Sequence, residues 1–233
     1  MHLVVSGEGK SDIGIGSYEN NTFIPAPMYY LIDKVIEKKL SYSIYDLTPE
    51  QITFIPKVEL IKECKLIKSF AGKKRGKETG FFYKNAIGLS RITRKECKKK
   101  NDNDAIAVLF RDLDGTQSTS SDVYDKKIKA IENAFKTEKI QGVAMIPNPK
   151  SEAWLICALK KSKYQNCGVL EERSGNDNSP NNLKEELSQI LQKNQIEYND
   201  INEMIKNGSI DIDKIDMKSY TYFRGSLEKL LPI

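Results

Sequence analysis

The chain reads as an α/β protein with a mainly parallel sheet flanked by helices, and three observations predict it. Three short apolar runs, Leu3–Ser6, Ala105–Arg111 and Gly142–Ile146, end in polar or turn residues. Each is followed by a segment whose apolar residues recur at spacings of three and four, the period of an amphipathic helix. Acidic residues stand just past the ends of the first two runs: Glu8 after one, Asp112 and Asp114 after the other. Strands that alternate with helices favour a parallel sheet, and such sheets bind ligands beyond the carboxyl ends of their strands.

In chain order, the run Leu3–Ser6 is the first strand, and Pro25–Lys39 has helical spacing. The stretch Asp46–Lys100 then separates the first strand from the second and reads as a basic helical insertion, with helices over Val58–Ser69 and Phe81–Lys99. Its centre, AGKKRGKETG from Ala71 to Gly80, places three glycines among four cations and reads as a loop. Ala105–Arg111 is the second strand and Asp122–Lys136 a helix. Gly142–Ile146 is the third strand, leading into a helix over Ser151–Lys160. After Lys161 the composition turns polar. The loop RSGNDNSP (Arg173–Pro180) precedes a helix from about Asn182 to Lys193, and the remainder is a tail, so that residues 161–233 form a C-terminal helical extension packed on the domain of residues 1–160.

Composition excludes several classes. With 233 residues the chain can bury a sizeable core without disulfides. Its four cysteines form no C-x-x-C pair and its only histidine is His2, which argues against a Cys/His zinc site. Apolar stretches fall far short of the ~20 residues that cross a bilayer, and no signal peptide opens the chain, so the expected setting is soluble, reducing and cytoplasmic, with no membrane partner. Net charge is +5, unevenly spread: Lys57–Lys100 holds 15 Lys or Arg against four acids, an excess of +11 that leaves −6 for the rest. Such regional charge suits a polyanion, nucleic acid foremost, although a solvated lysine-rich surface has the same composition.

Two motifs carry chemistry. The stretch VVSGEGKSDIG, residues 4 to 14, ends a strand in Glu8-Gly9, and its Gly9-Lys10-Ser11 copies the end of the nucleotide-binding motif G-x-x-x-x-G-K-[ST]. That motif requires glycine where this chain has Val4, a β-branched residue that resists the necessary backbone curl. The second motif, AIAVLFRDLDGT over residues 105 to 116, delivers Asp112 and Asp114 at a strand end, with alternation pointing both carboxylates to one side. Crowded hard oxygen ligands suit Mg²⁺ or Mn²⁺. A calcium-loop reading of DLDGTQSTSSD lacks its glutamate, since position 12 is Val123, and a serine hydrolase would have only His2 as base and no G-x-S-x-G elbow.

Glu8-Gly9 followed by Asp112-Leu113-Asp114 resembles the TOPRIM domain, the metal-binding fold of topoisomerases, bacterial primases and OLD-type nucleases, over roughly residues 1–160. The stretch IPNPKSEAWLICAL, residues 146 to 159, looks like the strand-to-helix segment of small stand-alone TOPRIM proteins. The resemblance implies a Mg²⁺-dependent nuclease of DNA or RNA in which Glu8, Asp112 and Asp114 hold metal. It also implies a link with phage defence and with a separate ATPase partner.

Other residues stay open between roles. Glu152 reads as a further metal ligand or catalytic general base at the same site, or as an acid favoured by a helix N-terminus. Lys10 reads as a phosphate contact or as a surface lysine. Asp12 reads as support for the metal ligands or as an N-cap. Trp154 reads as core. Lys73, Lys74, Arg75 and Lys77 are the candidate backbone-phosphate contacts. Two alternatives remain beside the nuclease: a noncatalytic nucleic-acid-binding or adaptor protein, and a nucleotide hydrolase built on Gly9-Lys10-Ser11.

Overall fold

A computed structural model describes residues 1–67, 77–102, 104–114, 121–180, 182–193 and 198–232. Strand β1 (His2–Ser6) runs into a hairpin of β2 (Gly14–Ser17) and β3 (Thr22–Pro25), and helices α1 (Pro27–Leu40) and α2 (Ile44–Leu47) follow. Next come strand β4 (Ile52–Ile55) and helices α3 (Lys57–Lys65) and α4 (Lys77–Lys100). Strand β5 (Ala105–Phe110), helix α5 (Ser121–Glu138), strand β6 (Gln141–Met145) and helix α6 (Ser151–Leu159) complete the part expected from the motifs. The C-terminal extension adds a 3-10 segment (Cys167–Glu172) and helices α7 (Leu183–Ile190), α8 (Tyr198–Lys206) and α9 (Lys218–Glu228).

The main sheet has the order β4-β1-β5-β6, and all its pairings are parallel. Buried on both faces, its strands are apolar throughout their centres, as a parallel sheet requires. Leu3, Val5, Ile106, Val108 and Met145 pack on one face with α1 and the extension; Val4, Ala107, Leu109 and Ala144 pack on the other with α3, α4 and α5. From β1 the chain moves outward to β4, and from β5 it moves the opposite way to β6. The order therefore reverses between β1 and β5, and it is beyond the carboxyl ends of strands at such a reversal that open sheets bind ligands.

The stretch expected as an insertion is part of this sheet. Ile52–Ile55 pairs with β1 over four residues, so the segment from 46 to 100 supplies an edge strand and two covering helices. The excess of positive charge there is also partly balanced within the fold. Acids from outside the stretch do this: Lys57 pairs with Glu8 (2.9 Å) and Arg94 with Glu138 (2.9 Å).

His2 is core, not a base. Its Nε2 lies 2.9 Å from Thr53 Oγ1, and burial, aided by the Lys100 charge, lowers its pKa to about 4. Cys157 and Cys167 form a disulfide, with Cα atoms 5.3 Å apart, that ties α6 to the 3-10 segment; the pairing is at odds with the reducing setting expected from composition. Among the described residues, no helix is long and apolar enough to cross a membrane.

Helix α6 is buried on nearly every side, and its Trp154 joins the two parts of the chain. The indole packs edge-on against Tyr220 (5.1 Å between centroids) and parallel to Phe223 (5.9 Å), while its Nε1 donates to Ser219 Oγ at 2.8 Å. Trp154→Ala is expected to cost about 3–5 kcal/mol in chemical denaturation, through lost burial and the cavity left behind. A loss below about 1 kcal/mol would show that the extension does not depend on this contact.

Candidate functional site

Three segments meet where the strand order reverses: the turn after β1, the continuation of β5 and the N-terminus of α6. The turn is closed by Gly9, whose carbonyl accepts from the N–H groups of Asp12 and Ile13, both at 3.2 Å. Gly9 has φ +86°, and a Cβ there would stand 2.1 Å from Asp12 Oδ2. The left-handed backbone favours glycine here, and a side chain would also have to displace the carboxylate folded across it. The Asp12 carbonyl accepts from Met28 N–H at 2.9 Å, which fixes the turn to α1.

Beyond β5 the backbone continues beside the exit of β6. Arg111, Leu113 and Asp114 donate their N–H groups to the carbonyls of Met145, Pro147 and Pro149, each at 3.1 Å. Asp112 lies between these anchors on the same face as Phe110. Asp114, however, takes φ +51°, so strand alternation does not extend to it and the expected same-side pairing does not follow from the backbone.

Helix α6 begins without a side-chain cap of its own. Its first N–H, that of Ser151, instead donates to Asp112 Oδ1 at 3.0 Å. The Ser151 hydroxyl donates to Asp12 Oδ1 in a short hydrogen bond and lies 3.4 Å from Glu152 Oε2. Ser151 thereby gathers Asp12, Asp112 and Glu152 at the positive end of a helix, where carboxylates are favoured. Sequence reasoning passed over Ser151. The available signal was its place at the first position of a helix that follows an acid-bearing strand.

Burial is the main force on these acids. It raises the pKa of Asp112 well above the ordinary carboxylate value, helped by the charges of Asp12, Glu152 and Asp114. It raises Asp12, against hydrogen bonds from Ser151 and Ser11, and raises Glu152, helped by Asp12. Asp114, more exposed, is also raised by burial, with Lys150 and Lys127 acting against it and Glu8 with it.

Glu8 is on the same edge of the sheet but is engaged elsewhere, by Lys57 Nζ at 2.9 Å. Its charge is felt by Asp114 and by the buried Arg111, so it belongs to the rim of the cluster. Lys10 is exposed in the turn. Lys127 donates to the Leu113 carbonyl at 2.8 Å, and Lys150 pairs with Asp177 of the extension at 2.7 Å. Lys73, Lys74 and Arg75 lie outside the described residues. Lys77 begins α4, and its side chain lies outside them too.

The donors are all carboxylate oxygens, the chemistry of a hard divalent cation. Among the described residues, no three acidic, histidine or cysteine side chains are already arranged to hold a metal ion. Neither Glu8, Asp112 and Asp114 nor Asp12, Asp112 and Glu152 therefore form a ready-made ligand set. The turn after β1 also decides against a nucleotide-binding loop. Gly9-Lys10-Ser11 leads into strand β2, and the helix N-terminus that would receive a phosphate is not there. Comparison with protein-family models, with curated proteins and with solved structures gives no match, so the TOPRIM resemblance rests on the residues of this chain.

The raised pKa of Asp112 has a consequence for stability. A carboxyl whose folded value exceeds its unfolded value holds a proton that the unfolded chain releases. Stability is then greatest below the unfolded value of ~4 and falls as pH climbs toward the raised one. In chelator, wild-type stability is expected to decline over that interval. Asp112→Asn, which cannot ionise yet keeps an oxygen for the Ser151 N–H, is expected to decline less. Denaturation curves at stepped pH measure both; an equal decline in the two proteins would show that the Asp112 carboxyl does not carry this pH dependence.

Proposed function

We propose that the chain is a divalent-metal-dependent phosphodiester hydrolase acting on nucleic acid, with its reacting centre at the acids around Ser151. The supporting observation is that Asp12, Asp112 and Glu152 meet from three separate segments at the point where the strand order reverses. Acids crowded together resist ionising, a cost that a hard cation relieves, and such perturbed groups concentrate at functional sites.

Asp112 would hold Mg²⁺ or Mn²⁺ with Asp12 and Glu152 beside it, and with Glu8 and Asp114 at the rim. When bound, the ion supplies Lewis acidity toward water and toward a phosphate oxygen. The protein's own groups do the rest. Glu152, raised by burial, is suited to take a proton from the attacking water. Lys127 and Lys150 add positive charge close to Asp114, where a phosphate enters against the negative field of the acids. Lys73, Lys74, Arg75 and Lys77 would hold the backbone of the strand without reading its sequence. A separate ATPase partner and a role in phage defence belong to this reading through the TOPRIM resemblance alone.

One observation favours a second reading. Asp112 caps α6 through the Ser151 N–H, as a purely structural aspartate would, and a noncatalytic nucleic-acid-binding or adaptor protein could use it so. Cleavage separates the two. Asp112→Asn and Asp114→Asn are expected to lower Mg²⁺- or Mn²⁺-dependent cleavage of labelled DNA or RNA by about 100-fold or more, since losing even an outer partner of a metal ligand costs 10–100-fold. Wild-type rates in both variants would refute the hydrolase.

The basic block has its own test. Replacing Lys73, Lys74, Arg75 and Lys77 by Ala is expected to weaken binding to all sequences alike. The salt dependence should shrink by ~0.9 per lost contact on duplex DNA, or ~0.7 on single strands. Unchanged affinity and slope would return these residues to the solvated surface.

A further inference from the structure

The C-terminal extension touches the acid site at Lys150. This residue stands between Pro149, whose carbonyl accepts from the Asp114 N–H at 3.1 Å, and Ser151, whose N–H donates to Asp112 at 3.0 Å. Its backbone is therefore fixed beside both acids. Its side chain, only 15% exposed, turns to the extension and donates to Asp177 Oδ1 at 2.7 Å. Asp177 belongs to the polar loop Arg173–Pro180.

That loop is built to hold a carboxylate in place. Ser174 Oγ accepts from the Asn176 N–H at 3.1 Å and Asn176 Oδ1 from the Asn178 N–H at 2.9 Å, turns that short polar side chains close on their own backbone. The Asn176 carbonyl accepts from the Ser179 N–H at 3.0 Å. Asn182 then joins the loop to α7. Its Nδ2 donates to the Asp177 carbonyl at 2.5 Å, while its Oδ1 caps the helix by accepting from the Lys184 N–H at 2.8 Å. None of these bonds uses the Asp177 carboxylate, so the loop does not depend on Lys150 for its shape.

Charge explains why a lysine here needs a partner. An ammonium on a flexible four-carbon stem, attached between two acids, can fold back on them and take the place of a cation. Asp177 draws it the other way. The Asp177 side chain is 61% exposed, and exposed ion pairs contribute little to stability, so the pair matters for where it puts the ammonium. An ammonium has three donors and Asp177 takes one, which leaves two for a phosphate oxygen, a charged and therefore strong acceptor. The Lys150 charge already opposes the raised pKa values of Asp114 and Glu152.

We propose that Asp177 is a positioning residue of this site, holding the Lys150 ammonium away from Asp112 and Asp114 so that both stay open to a divalent cation. Held there, Lys150 contacts substrate, donating to a non-bridging phosphate oxygen of the bound strand. The proposal rests on the hydrolase reading and extends it by making the C-terminal extension a part of the site. No bond forms or breaks at either residue.

The test is a double-mutant cycle on the full chain, with Asp177→Ala, Lys150→Met and the two combined, and with Asp112→Asn as control. Mn²⁺ affinity is measured by titration calorimetry without substrate, and kcat/KM on end-labelled DNA and RNA oligonucleotides, single-stranded and duplex. Asp177→Ala, at an exposed side chain, should melt with wild type in chelator. It should lower both Mn²⁺ affinity and kcat/KM about 10-fold, as the loss of an outer partner of a metal site does. Lys150→Met should lower kcat/KM about 10- to 100-fold, the loss of one hydrogen bond to a charged group, without weakening Mn²⁺ binding. With Lys150→Met in place, Asp177→Ala should change neither quantity further.

Equal effects of Asp177→Ala in both backgrounds would mean that its charge acts on the cation directly, and would overturn the positioning role. Wild-type Mn²⁺ affinity and kcat/KM in Asp177→Ala, with Asp112→Asn inactive, would do the same and leave the hydrolase standing. A lowered melting point in both backgrounds would make Asp177 structural and overturn the role as well. If wild type cuts none of these substrates, the hydrolase and the phosphate contact fall together, while the Mn²⁺ titrations still decide whether Asp177 keeps the ammonium off the acids. A wild type that binds no Mn²⁺ overturns both.

Discussion

The arrangement depends on one constraint: the first turn of α6 must find hydrogen-bond partners, and it finds them on other segments. A helix N-terminus leaves backbone N–H groups without intrahelical acceptors. Here Lys150 supplies no side-chain cap, and the Ser151 N–H is satisfied by Asp112 from the end of β5. The Ser151 hydroxyl adds Asp12 from the turn after β1. One residue thereby brings the carboxyl ends of the two central strands to the same helix. The acids that result, Glu152 buried and Asp12 and Asp112 half-buried, are close enough to raise one another, a state that the helix dipole and the serine donors offset in part.

The surrounding structure serves that junction. Gly9 gives the turn a conformation that folds the Asp12 carboxylate back across it, and the Asp12 carbonyl ties the turn to α1. Carbonyls of Pro147 and Pro149 hold the stretch that carries Asp112. On its far side α6 is packed through Trp154 against α9, so the extension fixes the helix whose N-terminus holds the acids. Glu171 reinforces this by accepting from the first N–H groups of α9, those of Lys218 and Ser219, at 3.0 and 2.8 Å.

Much of this was legible in the sequence. Strands β1, β5 and β6 announce themselves because strands buried on both faces must be apolar throughout, and their following helices keep a clear period. Strand β4 is only ITFI, set among charged residues, and its role depends on pairing with β1, which no local pattern encodes. The hairpin of β2 and β3 hides behind Gly14, Gly16 and Pro25, residues that weaken a strand signal. At the site, Asp112 and Glu152 could be nominated from strand and helix ends, and Asp12 from its spacing. The central place of Ser151 could not, because it arises from tertiary contacts. For Asp114 strand alternation is no guide, because the residue lies past the end of the strand and its backbone is left-handed.

The central claim is that the acids around Ser151 form a cation site. A crystal of the protein soaked in Mn²⁺ and measured at the manganese absorption edge tests it most directly, because the anomalous signal locates the metal without reference to activity. The account predicts a peak within coordination distance, ~2.0–2.2 Å, of an Asp112 carboxylate oxygen, with Asp12 or Glu152 among the neighbouring ligands. A fully soaked crystal with no peak at Asp112, or with manganese bound only elsewhere on the surface, would contradict it.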